Sequence, residues 1–558
     1  DDQIGQKNGT VTFELNGKGT RHFVNYVFSS NAGTLKPGES QATRLYTPKG
    51  AINATLTCVE DHVYQVTVPS ELAALTLAWL SDLSDGYVAF DKDITRRLPG
   101  PITVIECEPK AGKMASTEPV DKYKPFFIGM AEEDPGEALP KFAWEEKEGE
   151  LKRTPLYDVH KQLGAKIIPF AGWEMPVWYS SVMEEHLATR QAAGLFDVSH
   201  MGVYQIEGAD AAVFLDSVCS NDIAALEVGE SCYTHFLDPD ANVIDDTMVY
   251  RRSKDKYLVV VNAANDDKDW AWLNAVLQGK VLVDNNRPWV RAYGLQATLR
   301  NLRDPKEEED MRVDIALQGP KSRDILLALG VDAANRKKIM KLKRTELCEA
   351  IVGGFDLVVA RTGYTGEKMA FELFVHPNKA AELWKALMAA GEPMGLKPCG
   401  LGARDSLRTE AGLPLYGHEM GGQLNLGVAE AGFGSYVKTY KPWFIGRDAY
   451  LKREASRQGI LVRFRFTEKG VRMAHLGDPV LDHKGRVIGV VTSCAIDAEG
   501  YLTGQAFVEI KSSEEGTPIF IYQGAPKATG KMPAELQIGD RVTLPTPAII
   551  ISRFPKAG

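Results

Sequence analysis

The sequence predicts an α+β protein with a small β-barrel near its C-terminus and a partial internal repeat near its N-terminus. Helical and strand patterns mix between residues 154 and 440 without regular βαβ alternation, which favours α+β over a doubly wound sheet. From about residue 457, short strands and turns follow one another, as is typical of a small barrel or sandwich. A constant offset relates the first 130 residues to part of the main body.

The repeat is visible at an offset of 191 positions. Matched positions share glycines, a phenylalanine and a Gly-Glu-Ser triplet: Gly17 with Gly208, Phe23 with Phe214, and 38–40 with 229–231. A further pair of similar segments is "KYKPFFIG" at 122–129 and "TYKPWFIG" at 439–446. We therefore predict four regions. They are a degenerate partial repeat at 1–130, a linker at 131–153, a main body at 154–440 and a barrel domain at 441–558.

Charge and composition argue against several classes of protein. The net charge of −9 and the pI near 5.7 argue against a nucleic-acid binder, which normally carries a basic excess. No run of about 18 uncharged apolar residues is present, so no membrane span is expected. The polar N-terminal residues predict no signal or transit peptide. Seven dispersed cysteines without a CxxC motif indicate reduced thiols and a cytoplasmic location.

Several familiar catalytic motifs are absent from the sequence. No GxGxxG follows a strand pattern, no GxSxG elbow is present, and the ten histidines form no HExxH motif or Cys/His cluster. The sequence therefore predicts neither a dinucleotide-binding fold nor a serine hydrolase, and it predicts no metal site.

The stretch "GLFDVSHMG" contains an acid and a histidine just before a predicted strand. Asp197 and His200 have the chemistry of an acid/base pair. Their spacing of three residues at a turn also suits side chains that cap and brace the turn. We favour the bracing interpretation.

The stretch "VIDDTMVY" places two adjacent acids on a predicted strand. Asp245 and Asp246 must point to opposite faces, so one can face solvent while the other faces a cavity and acts on a substrate amine. Two acids at the exit of a hairpin are the simpler explanation. The repeat has "GAINATLTC" here, and a one-residue gap sets Asn53 against Asp245 and Ala54 against Asp246. Because one copy has lost both acids, we expect catalytic activity in the other copy only.

The stretch "GYTGEKMAFELFV" is a glycine-rich bend followed by a strand pattern. It sets Glu372 between Phe371 and Leu373, where a carboxylate is costly unless a cation or hydrogen-bond donors meet it. This pattern predicts a ligand or a buried partner for Glu372.

A fourth stretch, "CGLGARDSLRTEAGLPLYGHEM", predicts a helix that ends at Gly412. Arg404 and Arg408 are four residues apart and share one face of that helix. A surface ladder of ion pairs with neighbouring acids is the simpler interpretation of these charges.

Together the four stretches resemble the T-protein family of the glycine cleavage system, the aminomethyltransferases. The resemblance runs from "TPLYDVHKQLGAKIIPFAGWEMPVWY" through these stretches to "KPWFIGRDAY" and the C-terminal strands. It implies a three-lobed fold that binds tetrahydrofolate in a channel. The resemblance also implies roles for six residues: Asp245 as the catalytic carboxylate, Glu372 as the residue that holds the pterin, Arg404 as a folate contact, and Met201, Tyr233 and Asn262 as channel lining.

The implied reaction explains the unusual setting of Glu372. The pterin edge carries an amino group and a ring N–H side by side, a donor pair that a carboxylate accepts in bidentate fashion. Arg404 would either balance the charge of Glu372 or approach the folate directly. In the family, an aminomethyl group on the lipoyl arm of a partner H-protein meets the folate, ammonia leaves, and 5,10-methylenetetrahydrofolate remains. Asp245 would stabilise the developing cation or orient the folate amine.

Two alternatives remain open from the sequence. Folate-dependent demethylases, which take a methyl group from a small S-, N- or O-methyl compound, have a similar fold, and a fold does not fix its substrate. Folate-binding proteins that act in assembly or repair of iron–sulfur enzymes carry a "KGCYxGQE" signature, where this chain has "CGLGARDSLRTEAG". The predicted partner is thus a lipoylated H-protein or, in the first alternative, a small methylated substrate. We expect the N-terminal repeat to be a structural lobe without a second active site.

Overall fold

The computed structural model describes residues 9–130, 136–146, 149–524, 531–542 and 546–554. The predicted linker at 131–153 lies partly outside these residues. Its segment 136–146 contains no helix or strand and lies against the main body, where Leu139 donates its backbone N–H to Pro288 O (2.8 Å). Within the described residues, no helix is both long enough and apolar enough to cross a membrane.

The N-terminal lobe, residues 9–130, contains a six-stranded sheet with the order β5-β1-β4-β3-β2-β6. Its elements are β1 (Thr10–Asn16), α1 (Thr20–Val27), β2 (Glu39–Thr47), β3 (Gly50–Glu60), β4 (Val63–Pro69), α2 (Ala73–Asp85), β5 (Thr103–Cys107) and β6 (Lys113–Ser116). Val11, Phe13 and Leu15 alternate along β1 and are buried, as a strand with one core-facing side requires.

The main body contains two larger sheets, preceded by a short three-stranded one. The entry elements are β7 (Lys152–Arg153), α3 (Tyr157–Gln162), β8 (Lys166–Phe170), β9 (Trp173–Trp178), α4 (Val182–Gln191) and β10 (Ala193–Asp197). The first sheet has the order β12-β13-β14-β11-β15. Its elements are β11 (Gly202–Glu207), α5 (Ala211–Val218), β12 (Ser231–Leu237), β13 (Val243–Ser253), β14 (Lys256–Val261), α6 (Asp266–Leu277) and β15 (Thr298–Asn301).

The second sheet has the order β17-β18-β19-β16-β10-β20 and packs against the first. Its elements are β16 (Val313–Gln318), α7 (Ser322–Ala328), α8 (Ala333–Lys341), β17 (Leu347–Val352), β18 (Phe355–Ala360), β19 (Ala370–Val375), α9 (Pro377–Gly391), β20 (Leu396–Cys399) and α10 (Leu401–Ala411). Most strand pairs are antiparallel, and β10 with β20 is a parallel exception. This mixture fits the α+β prediction.

The C-terminal region forms a closed barrel of six strands in the order β21-β24-β23-β22-β25-β26, which confirms the predicted barrel. Its elements are α11 (Arg447–Ala455), β21 (Gly459–Phe466), β22 (Pro479–Leu481), β23 (Val487–Ile496), β24 (Leu502–Glu509), β25 (Pro518–Ile521) and β26 (Thr546–Ile551). Closure leaves no unpaired strand edge, and the interior is filled by its own apolar cluster.

The N-terminal lobe and the first sheet of the main body share one strand order. β5-β1-β4-β3-β2 in the lobe corresponds to β15-β11-β14-β13-β12 in the main body. The two similar segments around Lys124 and Lys441 also occupy matching places, because each lysine binds three carbonyl oxygens where α1 or α5 ends. The acceptors are Asn25, Phe28 and Ser30 for Lys124, and Asp216, Cys219 and Asn221 for Lys441. Each acceptor in the second set lies 191 positions after its counterpart.

The strand registers correct one alignment made from the sequence. Asn53 and Asp246 face strand partners that lie 191 positions apart, so Asn53 corresponds to Asp246. The residue that stands in the place of Asp245 is Ile52, which is buried. The alignment needs two extra residues in the main body rather than one: the first lies in the turn between β12 and β13, and the second is a β-bulge near the start of β13.

One continuous apolar core joins the N-terminal lobe to the main body. It includes Phe23 and Leu56 from the lobe and Phe214 and Trp272 from the main body, all with 0% exposure. A core that two lobes share cannot be divided without exposing apolar surface, so each lobe stabilises the other.

A buried ion pair crosses the same interface. Arg21 of the lobe donates from Nε to Asp210 of the main body, and the side chains are 2% and 0% exposed. Replacing Arg21 by Met should lower the free energy of unfolding by about 3–5 kcal/mol, because Asp210 would remain buried without its cation. Replacing Lys18 by Met is the matched control, since its pair with Glu227 is exposed and should contribute less than about 1 kcal/mol. Urea unfolding measures both changes, and equal losses would contradict this account.

Candidate functional site

Strand β13 carries the two adjacent acids on opposite faces, as the sequence predicts. The face of Asp246, Met248 and Tyr250 is turned toward the second sheet, because Tyr250 and Met248 pack in one cluster with side chains of β18 and β19. The face of Asp245 and Val249 is turned toward the core shared with the N-terminal lobe. We use the name intersheet gap for the region between the two sheets and α10 that is defined by seven half-buried residues: Met201, Tyr233, Asp246, Met248, Asn262, Glu372 and Arg404.

Asp245 lies inside the protein with 0% exposure. Its Oδ1 accepts hydrogen bonds from Nδ2 of Asn262 (2.8 Å) and Nδ2 of Asn265 (2.5 Å), and its Oδ2 accepts the backbone N–H of Asn262 (2.9 Å). Asp245 is thus enclosed, whereas its neighbour Asp246 lies on the face of β13 that is turned toward the second sheet. The catalytic role of Asp245 stays a prediction.

Asp246 is held by two of the residues predicted to line the channel. Its Oδ2 accepts from the hydroxyl of Tyr233 (2.7 Å), and its Oδ1 accepts from Nδ2 of Asn262 (2.9 Å). Burial, together with the neighbouring charge of Asp245, raises the pKa of Asp246 to about 7. Asp246 can therefore exchange a proton near neutral pH, as general acids and bases do.

Glu372 on β19 meets hydrogen-bond donors from two other elements. Its Oε2 accepts from the hydroxyl of Tyr250 (2.8 Å) and from Oγ1 of Thr362. Its Oε1 has no hydrogen-bond partner among the described residues, and the side chain is only half-buried. Because Tyr250 shares a face of β13 with Asp246, the two acids belong to the same gap. One oxygen of Glu372 is thus available to a ligand.

A further acid lies beside Glu372. Asp314 on β16 is buried, and its Oδ1 has no hydrogen-bond partner in the part of the chain that the structure describes. Burial and then the charge of Glu372 raise the pKa of Asp314 well above its ordinary value. Burial and the neighbouring carboxylate therefore both favour the protonated form of Asp314.

The two arginines of α10 have different surroundings. The guanidinium of Arg404 lies over the ring of Tyr364, 5.2 Å from the ring centroid, and it forms no hydrogen bond or ion pair with any described residue. Arg408 is buried, pairs with Glu419 (2.8 Å) and donates to Oγ of Ser493 in the barrel (2.8 Å). Arg408 thus fixes α10 to the barrel, so a surface ladder is the wrong interpretation for it. The role of Arg404 as a folate contact stays a prediction.

Met201 and Tyr233 border the gap from the first sheet. Met201 packs against the apolar cluster that contains Tyr250 and against a second apolar cluster that includes side chains of α10. It therefore fills the space between the first sheet and that helix. The ring of Tyr233 meets Phe433 (5.7 Å) and Tyr436 (5.2 Å) edge to face. These aromatic contacts fix the hydroxyl of Tyr233 against Asp246.

Asp197 braces a turn, as favoured from the sequence. Its Oδ1 accepts from the N–H (2.9 Å) and hydroxyl (2.6 Å) of Ser199, and its Oδ2 accepts from Thr154 and from Nε2 of His160. His200 makes no hydrogen bond to Asp197, and burial lowers its pKa to about 3. In the described residues, no group of three or more His, Cys, Asp or Glu side chains is arranged to hold a metal ion.

Comparison with known proteins identifies the family. The GCVT N-terminal domain family matches residues 156–441. An aminomethyltransferase of Symbiobacterium thermophilum is 44% identical over 347 residues, which are 62% of this chain and 85% of that protein. Another from Alkaliphilus oremlandii is 38% identical over 67% of this chain and 93% of that protein. The chain belongs to the GCVT family.

A solved structure shows the same fold. The crystal structure of the glycine cleavage system aminomethyltransferase T from Bartonella henselae matches with a TM-score of 0.58 at 30% identity, and it covers 72% of this chain and 97% of that one. The T-protein-like main body is therefore confirmed. The enzyme is a one-carbon transferase, and aminomethyl transfer, which the sequence predicts first, is confirmed over demethylation as its family function.

Several residues of this site were not predicted from the sequence. The contacts that hold the acids and Arg404 in position come from Tyr250, Tyr364 and Asn265. In the sequence, each of the three resembles an ordinary strand, loop or helix-start residue. Asp314 stands in the strand pattern "RVDIALQ" as Glu372 does in "AFELFV". An acid at a core-facing strand position was therefore the signal that could have found it.

The raised pKa of Asp246 predicts a pH dependence of stability. The pKa of Asp246 in the folded protein lies above its ordinary value of 3.8, so between these two pH values the folded protein keeps a proton that the unfolded chain has lost. The free energy of unfolding therefore falls as pH rises toward 7. Between about pH 5 and about pH 8, we expect the native enzyme to lose up to about 3 kcal/mol relative to Asp246→Asn. Urea unfolding at both pH values measures this difference, and parallel losses in the two proteins would contradict it.

Proposed function

We propose that this enzyme moves a one-carbon unit from the aminomethyl-lipoyl arm of a partner H-protein to tetrahydrofolate and releases ammonia. The observation that carries the proposal is the intersheet gap. One oxygen of Glu372, the guanidinium of Arg404 and the carboxyl of Asp246 are all available to a ligand there. A transfer between two bound partners needs an acceptor in a fixed orientation, and these groups can provide it.

The polar groups of the gap fit a reduced pterin. Its amino group and ring N–H would donate to Glu372, whose Oε2 already accepts from Tyr250 and whose Oε1 is open. The charge of an ionised Glu372 would strengthen such hydrogen bonds. The guanidinium of Arg404 would bind an oxygen of the folate, since no described residue neutralises its charge.

Tetrahydrofolate, when bound, supplies the nitrogen atoms that accept the carbon. Asp246 would face those atoms, with its oxygens fixed by Tyr233 (2.7 Å) and Asn262 (2.9 Å). Its carboxylate would stabilise positive charge that develops on nitrogen, without having to rearrange during the reaction. In this proposal Asp245 positions Asn262 and contributes charge, and it makes no contact with the folate.

Transfer assays test the donor. The enzyme is incubated with tetrahydrofolate and either aminomethyl-loaded H-protein or a panel of S-, N- and O-methyl compounds. We expect 5,10-methylenetetrahydrofolate and ammonia with the H-protein alone. Formation of 5-methyltetrahydrofolate from a methyl compound would overturn the proposal, and so would the absence of product with every donor.

We further propose the predicted domain division, in which the N-terminal lobe is a degenerate partial repeat. The shared strand order, the matched lysines and the offset of 191 between residues 15–48 and 206–239 support a duplication. The acids are lost in the lobe, where Ile52 and the exposed Asn53 replace them. The lobe would then act through stability, so Arg21→Met should leave kcat unchanged at low denaturant. A fall in kcat without a fall in stability would contradict this role.

We also propose a cytoplasmic location. The seven cysteines are all free thiols, which a reducing compartment maintains.

A further inference from the structure

Lys268 is a cation that the proposed function does not use. It lies in the first turn of α6, between Asp267 and Asp269. The N-terminal end of a helix carries a partial positive charge, which favours acids there and disfavours a lysine. The side chain of Lys268 is nevertheless half-buried and held by three hydrogen bonds. The stability of α6 does not explain this lysine, so its contacts indicate its role.

The ammonium of Lys268 uses all three of its hydrogens. Nζ donates to the backbone O of Ile244 (2.7 Å), to Oδ1 of Asn265 (2.9 Å) and to the hydroxyl of Tyr416 (3.0 Å). These acceptors lie at the start of β13, just before α6 and in the loop after α10. Because the donor is charged, each hydrogen bond is stronger than one between neutral groups. Lys268 therefore joins three segments at one point.

The contact with Ile244 falls on the β-bulge of β13. On the two sides of the bulge, β12 pairs Leu237 with Val243 and Phe236 with Asp245, so Ile244 has no partner residue in β12. A bulge leaves the extra residue out of the ladder and bends the strand. The hydrogen bond from Nζ to the carbonyl of Ile244 fixes the backbone directly before the two acids.

The contact with Asn265 fixes an amide that holds Asp245. Since Oδ1 of Asn265 accepts from Lys268, the amide turns Nδ2 toward Asp245 and donates to its Oδ1 (2.5 Å). The same Oδ1 accepts from Nδ2 of Asn262 (2.8 Å), which also donates to Oδ1 of Asp246 (2.9 Å). A continuous chain of hydrogen bonds thus runs from Lys268 to both acids.

A cavity of about 250 Å³ lies beside Lys268. Tyr416 and Ile244 line it, together with Phe142 and Trp144 of the segment 136–146. The cavity gives room for a side chain larger than lysine. An arginine in this position can therefore keep a charged donor at the carbonyl of Ile244, because its guanidinium has five N–H groups.

We propose that Lys268 is a positioning residue, which holds the β-bulge and the amide of Asn265 and so fixes the orientation of Asp245 and Asp246. Without its ammonium, the carbonyl and the amide oxygen lose their donor, the amide is free to turn, and the support of Asp246 weakens. Glu372 lies on the other sheet and has no part in this chain, so folate binding should be retained. The kinetic part of this inference rests on the proposed function.

Crystal structures of folate-free variants test the positioning itself. In Lys268→Met we expect the side chain of Asn265 to turn away from Asp245, so that Nδ2 and Oδ1 lie more than about 3.5 Å apart. In Lys268→Arg we expect these two atoms to stay within about 3 Å. An unchanged contact between Asn265 and Asp245 in the Lys268→Met structure would overturn the proposal, whatever the outcome of the transfer assays.

Kinetics with aminomethyl-loaded H-protein test the consequence. In Lys268→Met, kcat should fall about 10- to 100-fold because the acids are misplaced, whereas the Kd for tetrahydrofolate should change less than about threefold. Lys268→Arg should keep kcat within about fivefold of the native value. Lys280→Met is the control with native kcat, because that lysine is exposed and lies beyond the end of α6.

A native kcat in Lys268→Met, equal losses of kcat in Lys268→Met and Lys268→Arg, or a loss that falls mainly on the Kd for tetrahydrofolate would overturn the proposal. If Lys268→Met does not fold, Lys268→Gln replaces it in both measurements, since the shorter side chain cannot reach all three acceptors.

Discussion

Replacing Asp246 by Asn should lower kcat by about 100- to 10,000-fold and leave the fold intact, because the proposed stabilisation of charge on nitrogen depends on this carboxylate. The amide has nearly the same shape, so it still fits between Tyr233 and Asn262. Since the raised pKa of Asp246 shows that its charge is costly in the folded state, the variant should also be more stable than the native enzyme above neutral pH. Lost activity with gained stability is a combination that simple misfolding cannot produce.

Stopped-flow transfer with aminomethyl-loaded H-protein measures the effect of Asp246→Asn. Asp310→Asn is the matched control, because that acid is exposed and pairs only with Arg300 at the surface. We expect the control to keep native kcat. An Asp246→Asn enzyme with more than about one tenth of native kcat would contradict the assigned role.

Replacing Glu372 by Gln should weaken tetrahydrofolate binding by about 10- to 100-fold. The amide offers one acceptor oxygen instead of a charged pair, and a charge-assisted hydrogen bond contributes about 1.5–3 kcal/mol. Its NH₂ group would also face the donor groups of the pterin or the hydroxyls of Tyr250 and Thr362. We expect mainly an increase in the Kd for tetrahydrofolate, with a smaller change in kcat at saturating folate.

Calorimetric titration with tetrahydrofolate measures the affinity of Glu372→Gln. Glu382→Gln on α9 is the control, because its carboxylate is exposed and pairs only with Lys379. Native affinity in Glu372→Gln would mean that the pterin does not contact this side chain.

The fold was largely predictable because its signals are local. Alternation along β1 and β19, turn signals in the last hundred residues and the repeat offset need only the order of residues. Glu372 was predictable for a related reason, since an acid between Phe371 and Leu373 conflicts with its neighbours.

The choice between Asp245 and Asp246 was not predictable in the same way. Alternation shows that the two acids face opposite sides, but it does not show which side holds the second sheet. That depends on contacts between distant segments, such as Tyr250 with Glu372.

A crystal structure of the enzyme with tetrahydrofolate bound would show whether the folate occupies the proposed site. We expect the pterin in the intersheet gap, with its amino group and ring N–H about 3 Å from the carboxylate of Glu372 and with Asp246 as the acid nearest the nitrogens that accept the carbon. A pterin bound outside this gap, or one whose nitrogens lie closer to Asp245 than to Asp246, would contradict this expectation.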